Sequence, residues 1–239
     1  MNLEALKKEV YEANMELVEK KLVISTWGNV SGFDEERQLM VIKPSGVPYG
    51  ELRPEQMVPV DMNGNVVDST YVPSTDTDTH IELYKAFHDK GIHGIVHTHS
   101  QYATMWAQMG KNIPCYGTTH CDYFFGDIPC TRLMTTEEIE EAYEKNTGKV
   151  ILEEFANRSC IEMQAVLVHS HAPFTWGKTP HAAVMHAQVL EYISKMAIFD
   201  YIATSGQCEL IRDNIKMKHY NRKFGPNAYY GQHKKEEQA

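Results

Sequence analysis

Leu3, Leu6, Val10, Ala13 and Leu17 recur three and four residues apart, the spacing of one helical face, with charged and polar residues filling most of the intervals. The first twenty residues are therefore predicted to form an amphipathic helix. The rhythm then changes: 22–26, 38–42 and 57–60 are short apolar runs bounded by Gly, Asn, Asp and Pro, which predicts strands. Asn63-Gly64 is a hairpin signal. Helical spacing returns over 79–90, and Gly94-Ile95-Val96 after it reads as a buried strand running into His97. The segment 136–155 is predicted as a helix capped by Thr135 or Thr136, with Glu137 and Glu138 near the positive end of its dipole. A second buried strand over 165–168 runs on to a strand end at His171, and 180–204 is an apolar, alanine-rich helix. Helices and strands mixed without strict βαβ alternation predict an α/β fold, a three-layer α/β/α domain around a largely antiparallel sheet. No repeat or low-complexity stretch divides the chain, so 1–232 is expected to form one domain and 233–239 a polar tail.

The chain carries 32 acidic against 23 basic residues, a formal charge of −9, and its pI is near 5.7. That balance argues against general affinity for nucleic acid or an anionic membrane, both of which reward clustered Lys and Arg. An anionic ligand must therefore be met by a local positive site. The five cysteines (Cys115, Cys121, Cys130, Cys160, Cys208) are odd in number and without CxxC pairing. The N-terminus lacks a basic-then-apolar leader, and no apolar run is long enough to span a bilayer, so a cytoplasmic protein is expected.

Alternate residues of a strand face the same way, so His97 and His99 would project side by side with Cβ atoms roughly 6–7 Å apart. Spacing alone fits a hydrogen-bonded core pair as well as a metal clamp. His171, on a second strand, supplies a third imidazole, and three neutral imidazoles leave a zinc ion an open position for substrate. Pro73-Ser74-Thr75-Asp76-Thr77-Asp78-Thr79-His80 reads either as a polar turn that caps the following helix or as a source of acidic and hydroxyl groups. Trp27-Gly28-Asn29-Val30-Ser31-Gly32 and Lys43-Pro44-Ser45-Gly46 each follow an apolar run and offer backbone NH groups, hydroxyls and a lysine; separately each reads as an ordinary turn, and together with Ser74 and Thr75 they would compose one anion cradle. Asp122 sits among aromatics and hydroxyls, and reads either as a satisfied loop carboxylate, the commoner case, or as a partly desolvated group suited to proton transfer. The tail holding His219, Arg222, Tyr229 and Tyr230 is unusually aromatic for a terminus, which suggests packing, including against another subunit.

These motifs, in this order, resemble the L-ribulose-5-phosphate 4-epimerase family of the class II sugar-phosphate aldolase and epimerase superfamily, from the first helix to Tyr230-Gly231-Gln232. The likeness rests on 26–31, 42–47, Asp76-Thr77, 95–100, 117–120, 122–124, 128–132 and the Tyr-Tyr-Gly-Gln tail. It implies a class II aldolase-like α/β/α catalytic domain, a cytoplasmic homotetramer with four-fold symmetry, and one Zn2+ per subunit, other divalent ions being possible. It makes His97, His99, His171 and Asp76 metal ligands, leaving His169 out. Asn29, Lys43, Ser45, Gly46, Ser74 and Thr75 would bind the substrate phosphate. Asp122 and Tyr230 would exchange protons with the sugar, Tyr230 from a neighbouring subunit, with Thr118, His219 and Arg222 near that shared site. Thr75 stands where the family usually has Ser, and Cys121 where it usually has Ala. The implied reaction interconverts L-ribulose 5-phosphate and D-xylulose 5-phosphate by cleaving C3–C4, because C4 carries no acidic proton. The competing expectation is an aldolase of the same superfamily, in which a glutamate usually occupies the position of Asp76.

Overall fold

The computed structural model describes residues 2–226 and 228–230. The end of the Tyr-Tyr-Gly-Gln motif and the 233–239 tail lie outside the described residues. The strands are β1 (Asn29–Asp34), β2 (Leu39–Ile42), β3 (Val58–Asp61), β4 (Gly94–His97), β5 (Ala165–Leu167) and β6 (Pro173–Gly177). They form one sheet in the order β3-β2-β1-β4-β6-β5, with every neighbouring pair antiparallel. The helices are α1 (Leu3–Glu19), α2 (Thr77–Phe87), α3 (Gln101–Gln108), α4 (Thr118–Cys121), α5 (Thr136–Glu154), α6 (Pro180–Ala203) and α7 (Asp213–Phe224).

Alternation along the strands divides the core between two faces. Val30 and Val96 pack with Ala13 and Leu17 of α1 and Ala183, Val184 and Ala187 of α6. Phe33, Met40, Ile42, Ile95, Phe174 and Trp176 turn to the other face, where Ile81, Leu83, Tyr84 and Phe87 of α2 and Ile151 of α5 cover them. Helices thus lie on both sides of the sheet, the expected α/β/α arrangement.

The elements differ from expectation where polar residues carry them. The first strand runs from Asn29 to Asp34, not over 22–26, where positive φ at Lys21 (56°) and Ser25 (54°) bends the chain. All six residues of β1 are buried, polar ones included, so it shows no apolar–polar alternation. His97 ends β4, whereas His99 stands beyond it. His171 lies in the turn between β5 and β6, where Ser170 has φ 61° and the His171 amide bonds the Val168 carbonyl at 2.9 Å. Asn63-Gly64 does make a turn, closing onto a single Val60–Val66 bridge.

β1 owes its placement to a buried asparagine. Its pairing with β2 begins at Ser31–Ile42, leaving Val30 without a ladder partner on that side. Asn14 of α1 supplies one: its Oδ1 accepts from Val30 N at 3.0 Å, and its Nδ2 donates to Val30 O at 3.1 Å and Val10 O at 2.8 Å. Asn14→Leu keeps the volume but orphans both Val30 groups. It is expected to destabilise the fold by roughly 1–3 kcal/mol per buried unpaired group, read from the urea midpoint; an unchanged midpoint would show that water or a shifted strand replaces Asn14.

Candidate active site

β4 carries His97 to the end of the central strands, where its Nδ1 donates to Pro173 O at 3.0 Å. The ring stacks on Phe174, centroids 4.3 Å apart. With the proton on Nδ1, the Nε2 lone pair is free to bind an ion. The Nε2 atoms of His97 and His99 face each other at 3.1 Å, and the His171 ring centroid lies 4.9 Å from that of His97 and 5.1 Å from that of His99. One nitrogen from each ring falls within 4.8 Å of the others. Two nitrogens on one tetrahedral ion stand roughly 3.3 Å apart, given bonds of about 2.0–2.1 Å, so the set fits a shared divalent ion. Burial first, and the neighbouring His97 second, push His99 down to about 4 and His171 down to about 3. Both rings therefore keep their lone pairs at neutral pH. Three imidazoles suit zinc and also accept other divalent ions.

His169, two residues before His171, turns away. Its ring lies against Gly110, where any Cβ would strike it, and its amide donates to Thr131 Oγ1 at 3.1 Å. It is a packing residue.

Asp76 immediately precedes α2, yet its carboxylate does not cap the helix. Its Oδ2 instead accepts from Asn29 Nδ2 at 2.6 Å, while the same nitrogen also donates to Ser74 Oγ at 3.0 Å. A carboxylate only accepts, so this contact fixes the Asn29 amide orientation and leaves Asn29 Oδ1 buried without a partner among the described residues. Asp76 stands beside the three-imidazole cluster, not within it.

One cavity of about 470 Å³ joins these groups. Asn29, Lys43, Ser45, Gly46, Ser74, Thr75 and Asp76 line it together with His97, His99 and His171. Lys43 is 2% exposed, and its Nζ reaches the carbonyls of Pro44 at 3.2 Å and Thr26 at 3.4 Å. No carboxylate among the described residues pairs with it, and burial alone pushes its ammonium down to about 8. A buried cation beside a cavity without a counter-ion is a ready anion site.

Tyr143 and Glu144 also line the cavity and were not foreseen from sequence. They follow a break inside α5 at Ala142 (φ −163°, ψ 75°). The Tyr143 hydroxyl stands 3.4 Å from His171 Nδ1; burial, then the charges of Asp76 and Glu144, hold it protonated.

The remaining expected residues gather elsewhere in the chain. Asp122, which follows α4, receives Arg222 Nη2 at 2.6 Å and faces His219 Nδ1 at 3.1 Å, both from α7. Thr118 opens α4, and its carbonyl accepts from Asp122 N at 3.0 Å. The Tyr230 ring lies against Arg222 and Lys223, 5.1 and 4.6 Å from its centroid, and the residue is 62% exposed. None of these residues lines the histidine cavity of its own chain.

Solved structures share this architecture. An L-fuculose 1-phosphate aldolase is 26% identical, with 91% of this chain and 95% of that one covered at a TM-score of 0.75. The L-fuculose 1-phosphate aldolases of Glaciozyma antarctica (16% identity, 92% and 81% covered, TM-score 0.72) and Thermus thermophilus (18%, 86% and 98%, 0.62) share the fold. The sequence profile of the family described as "Class II Aldolase and Adducin N-terminal domain" matches residues 8–198. With its three-histidine cluster set at the end of an antiparallel sheet, the chain belongs to the class II aldolase and adducin N-terminal domain family.

Proposed function

We propose that this chain is a metal-dependent sugar-phosphate epimerase that interconverts L-ribulose 5-phosphate and D-xylulose 5-phosphate. The observation that carries the reading is one cavity lined at once by a buried lysine without a carboxylate partner and by three clustered imidazoles beside a carboxylate. A phosphate and a polarisable carbonyl at opposite ends of a small sugar match those two features. Lys43 supplies the counter-charge for the phosphate, and Ser45, Ser74, Thr75 and the Gly46 backbone supply donors to its oxygens; Asn29, expected to bind the phosphate directly, spends both amide hydrogens on Asp76 and Ser74 and so orients the Ser74 hydroxyl instead. His97, His99 and His171, with Asp76 as an acidic fourth ligand, would hold the ion. A bound divalent ion supplies Lewis acidity to the carbonyl end of the sugar.

The protein's own groups govern the rest. A base takes the C4 hydroxyl proton as C3–C4 breaks, the bonding pair passing to the C2–C3 fragment to give the enediolate of dihydroxyacetone and glycolaldehyde phosphate. The phosphate site retains the aldehyde while it presents its other face. C3–C4 then re-forms, and the C4 oxygen regains a proton from the opposite side. One acid/base is needed on each face, and Asp122 and Tyr230 fill those roles. Both lie away from the cavity of their own chain, so this reading takes them from a neighbouring copy in a homotetramer, with Thr118, His219 and Arg222 supporting them. Arg222 and His219 already hold the Asp122 carboxylate in place.

A second reading draws on the likeness to an L-fuculose 1-phosphate aldolase at 26% identity: cleavage with release of the aldehyde. Asp76 weighs against it. Its short carboxylate is tied to Asn29 at 2.6 Å beside the three histidines, a placement that suits ligation better than protonation of an enediolate carbon.

The purified protein given L-ribulose 5-phosphate and a divalent ion is expected to yield D-xylulose 5-phosphate, followed by NMR; dihydroxyacetone and glycolaldehyde phosphate as the main products would decide for the aldolase.

Metal and proton roles separate by mutation. His97→Ala is expected to lose both the bound ion and turnover. Asp122→Asn should keep the ion and lose turnover by about 10²-fold or more; a fully active Asp122→Asn protein would remove this residue from the mechanism.

Lys43 gives the anion site a pH signature. Below pH 8 its ammonium is charged in the free protein; above pH 8 an entering anion must also recharge it. Inorganic phosphate, titrated calorimetrically, is thus expected to bind more weakly as pH rises from 7.5 to 9, approaching tenfold per unit. Lys43→Met should bind weakly at all these values, and a flat wild-type profile would place the phosphate elsewhere.

A further inference from the structure

His97 and His171 are held by different means. His97 belongs to a strand paired on both sides, bonds a backbone carbonyl through Nδ1 and stacks on Phe174. His171 occupies a turn whose preceding residue has positive φ, and no ladder fixes it. Among the described residues, the hydrogen-bond partner of its ring is the Tyr143 hydroxyl, 3.4 Å from Nδ1.

That hydroxyl reaches His171 because α5 is interrupted. Ala142 leaves the helical conformation, and the chain resumes its helix with Tyr143 and Glu144 turned to the cavity. The break is held by specific contacts. Asn146 Nδ2 donates to Glu138 O at 2.7 Å, replacing a partner the break removes, and Thr79 Oγ1 donates to Glu144 O at 2.6 Å, tying the restart to α2. An interruption so fully compensated is a built feature of the site.

We propose that Tyr143 is a positioning residue for the metal centre: its hydroxyl oxygen accepts from His171 Nδ1–H, fixing the ring's tautomer and angle so that Nε2 joins His97 and His99. Tyr143 performs through a side chain what Pro173 O performs for His97 through the backbone. Metal-bound histidines depend on such partners, whose removal costs about 10–100-fold in affinity. The inference rests on the three-histidine metal reading.

The test compares Tyr143→Phe, which keeps the ring and removes only the oxygen, with the parent protein. Zinc affinity is measured by competition with a chromogenic chelator, and the His171 tautomer of the metal-free protein by long-range 1H–15N NMR. The expected result is a loss of zinc affinity of about tenfold or more, a shift of His171 away from the Nδ1–H form, a changed visible spectrum of the Co2+-loaded protein, and an unchanged melting temperature without metal. Wild-type zinc affinity together with an unaltered His171 tautomer in Tyr143→Phe would overturn the role of Tyr143 alone. A parent protein that binds no zinc, or that binds it equally well as His97→Ala, would overturn the metal reading and this inference with it.

Discussion

The antiparallel pairing of β1 with β4 is the constraint on which the site depends, because its register sets Asn29 directly opposite His97. His97 in turn faces Phe174 on β6, so three adjacent strands end in one row: an amide that binds Asp76, an imidazole, and the aromatic ring on which that imidazole stacks. A slip of one residue would turn Asn29 and His97 to opposite faces. The sheet resists that slip through its core, since Val30 and Val96 must meet α1 and α6 while Phe33 and Ile95 meet α2 and α5. Packing on two faces thus fixes a polar alignment that has no apolar reason of its own.

The electrostatics of the cavity run against those of the chain. With nine excess negative charges the protein would repel a phosphate at long range. Lys43 answers this locally, and burial without a carboxylate makes its ammonium costly in the free protein. The histidines show the same effect of burial, which lowers His99 to about 4 and His171 to about 3, and the Nε2 atoms of His97 and His99 meet at 3.1 Å, where a proton or a cation can lie between them. An ammonium without a carboxylate partner and three clustered imidazoles therefore share one cavity, the juxtaposition on which the proposed pairing of an anion with a metal rests.

Much of this was legible in the sequence because it is local. The i, i+3, i+4 pattern announced α1, the long apolar stretch announced α6, and residue type alone singled out the turns at Trp27-Gly28 and Pro44-Ser45-Gly46, which line the cavity. β1 stayed hidden because its buried positions include Asn29, Ser31 and Asp34, and the partners of Asn29 and Ser31 come from distant segments. His99 was expected on a strand and His171 at a strand end; both instead lie beyond strand ends, so convergence, not period-two alternation, gathers the imidazoles. Tyr143 left no periodic mark at all. It reaches the site through a helix break whose compensating contacts come from Asn146 and from Thr79 on another helix.

Asp76 shows why the fold yields local stability at this point. It occupies the position before α2 where an aspartate normally accepts from the helix's free NH groups, an interaction that contributes about 0.5–2 kcal/mol. Here the carboxylate is drawn off to Asn29, and the helix start is secured by Thr77, whose hydroxyl and amide bond the Ser74 carbonyl at 2.6 and 3.1 Å. The capping reading of this segment therefore accounts for its residue types but not for its geometry. A carboxylate held away from a helix end that would stabilise it, and tied instead to the amide that stands opposite His97, takes its geometry from the strand ends and not from the helix.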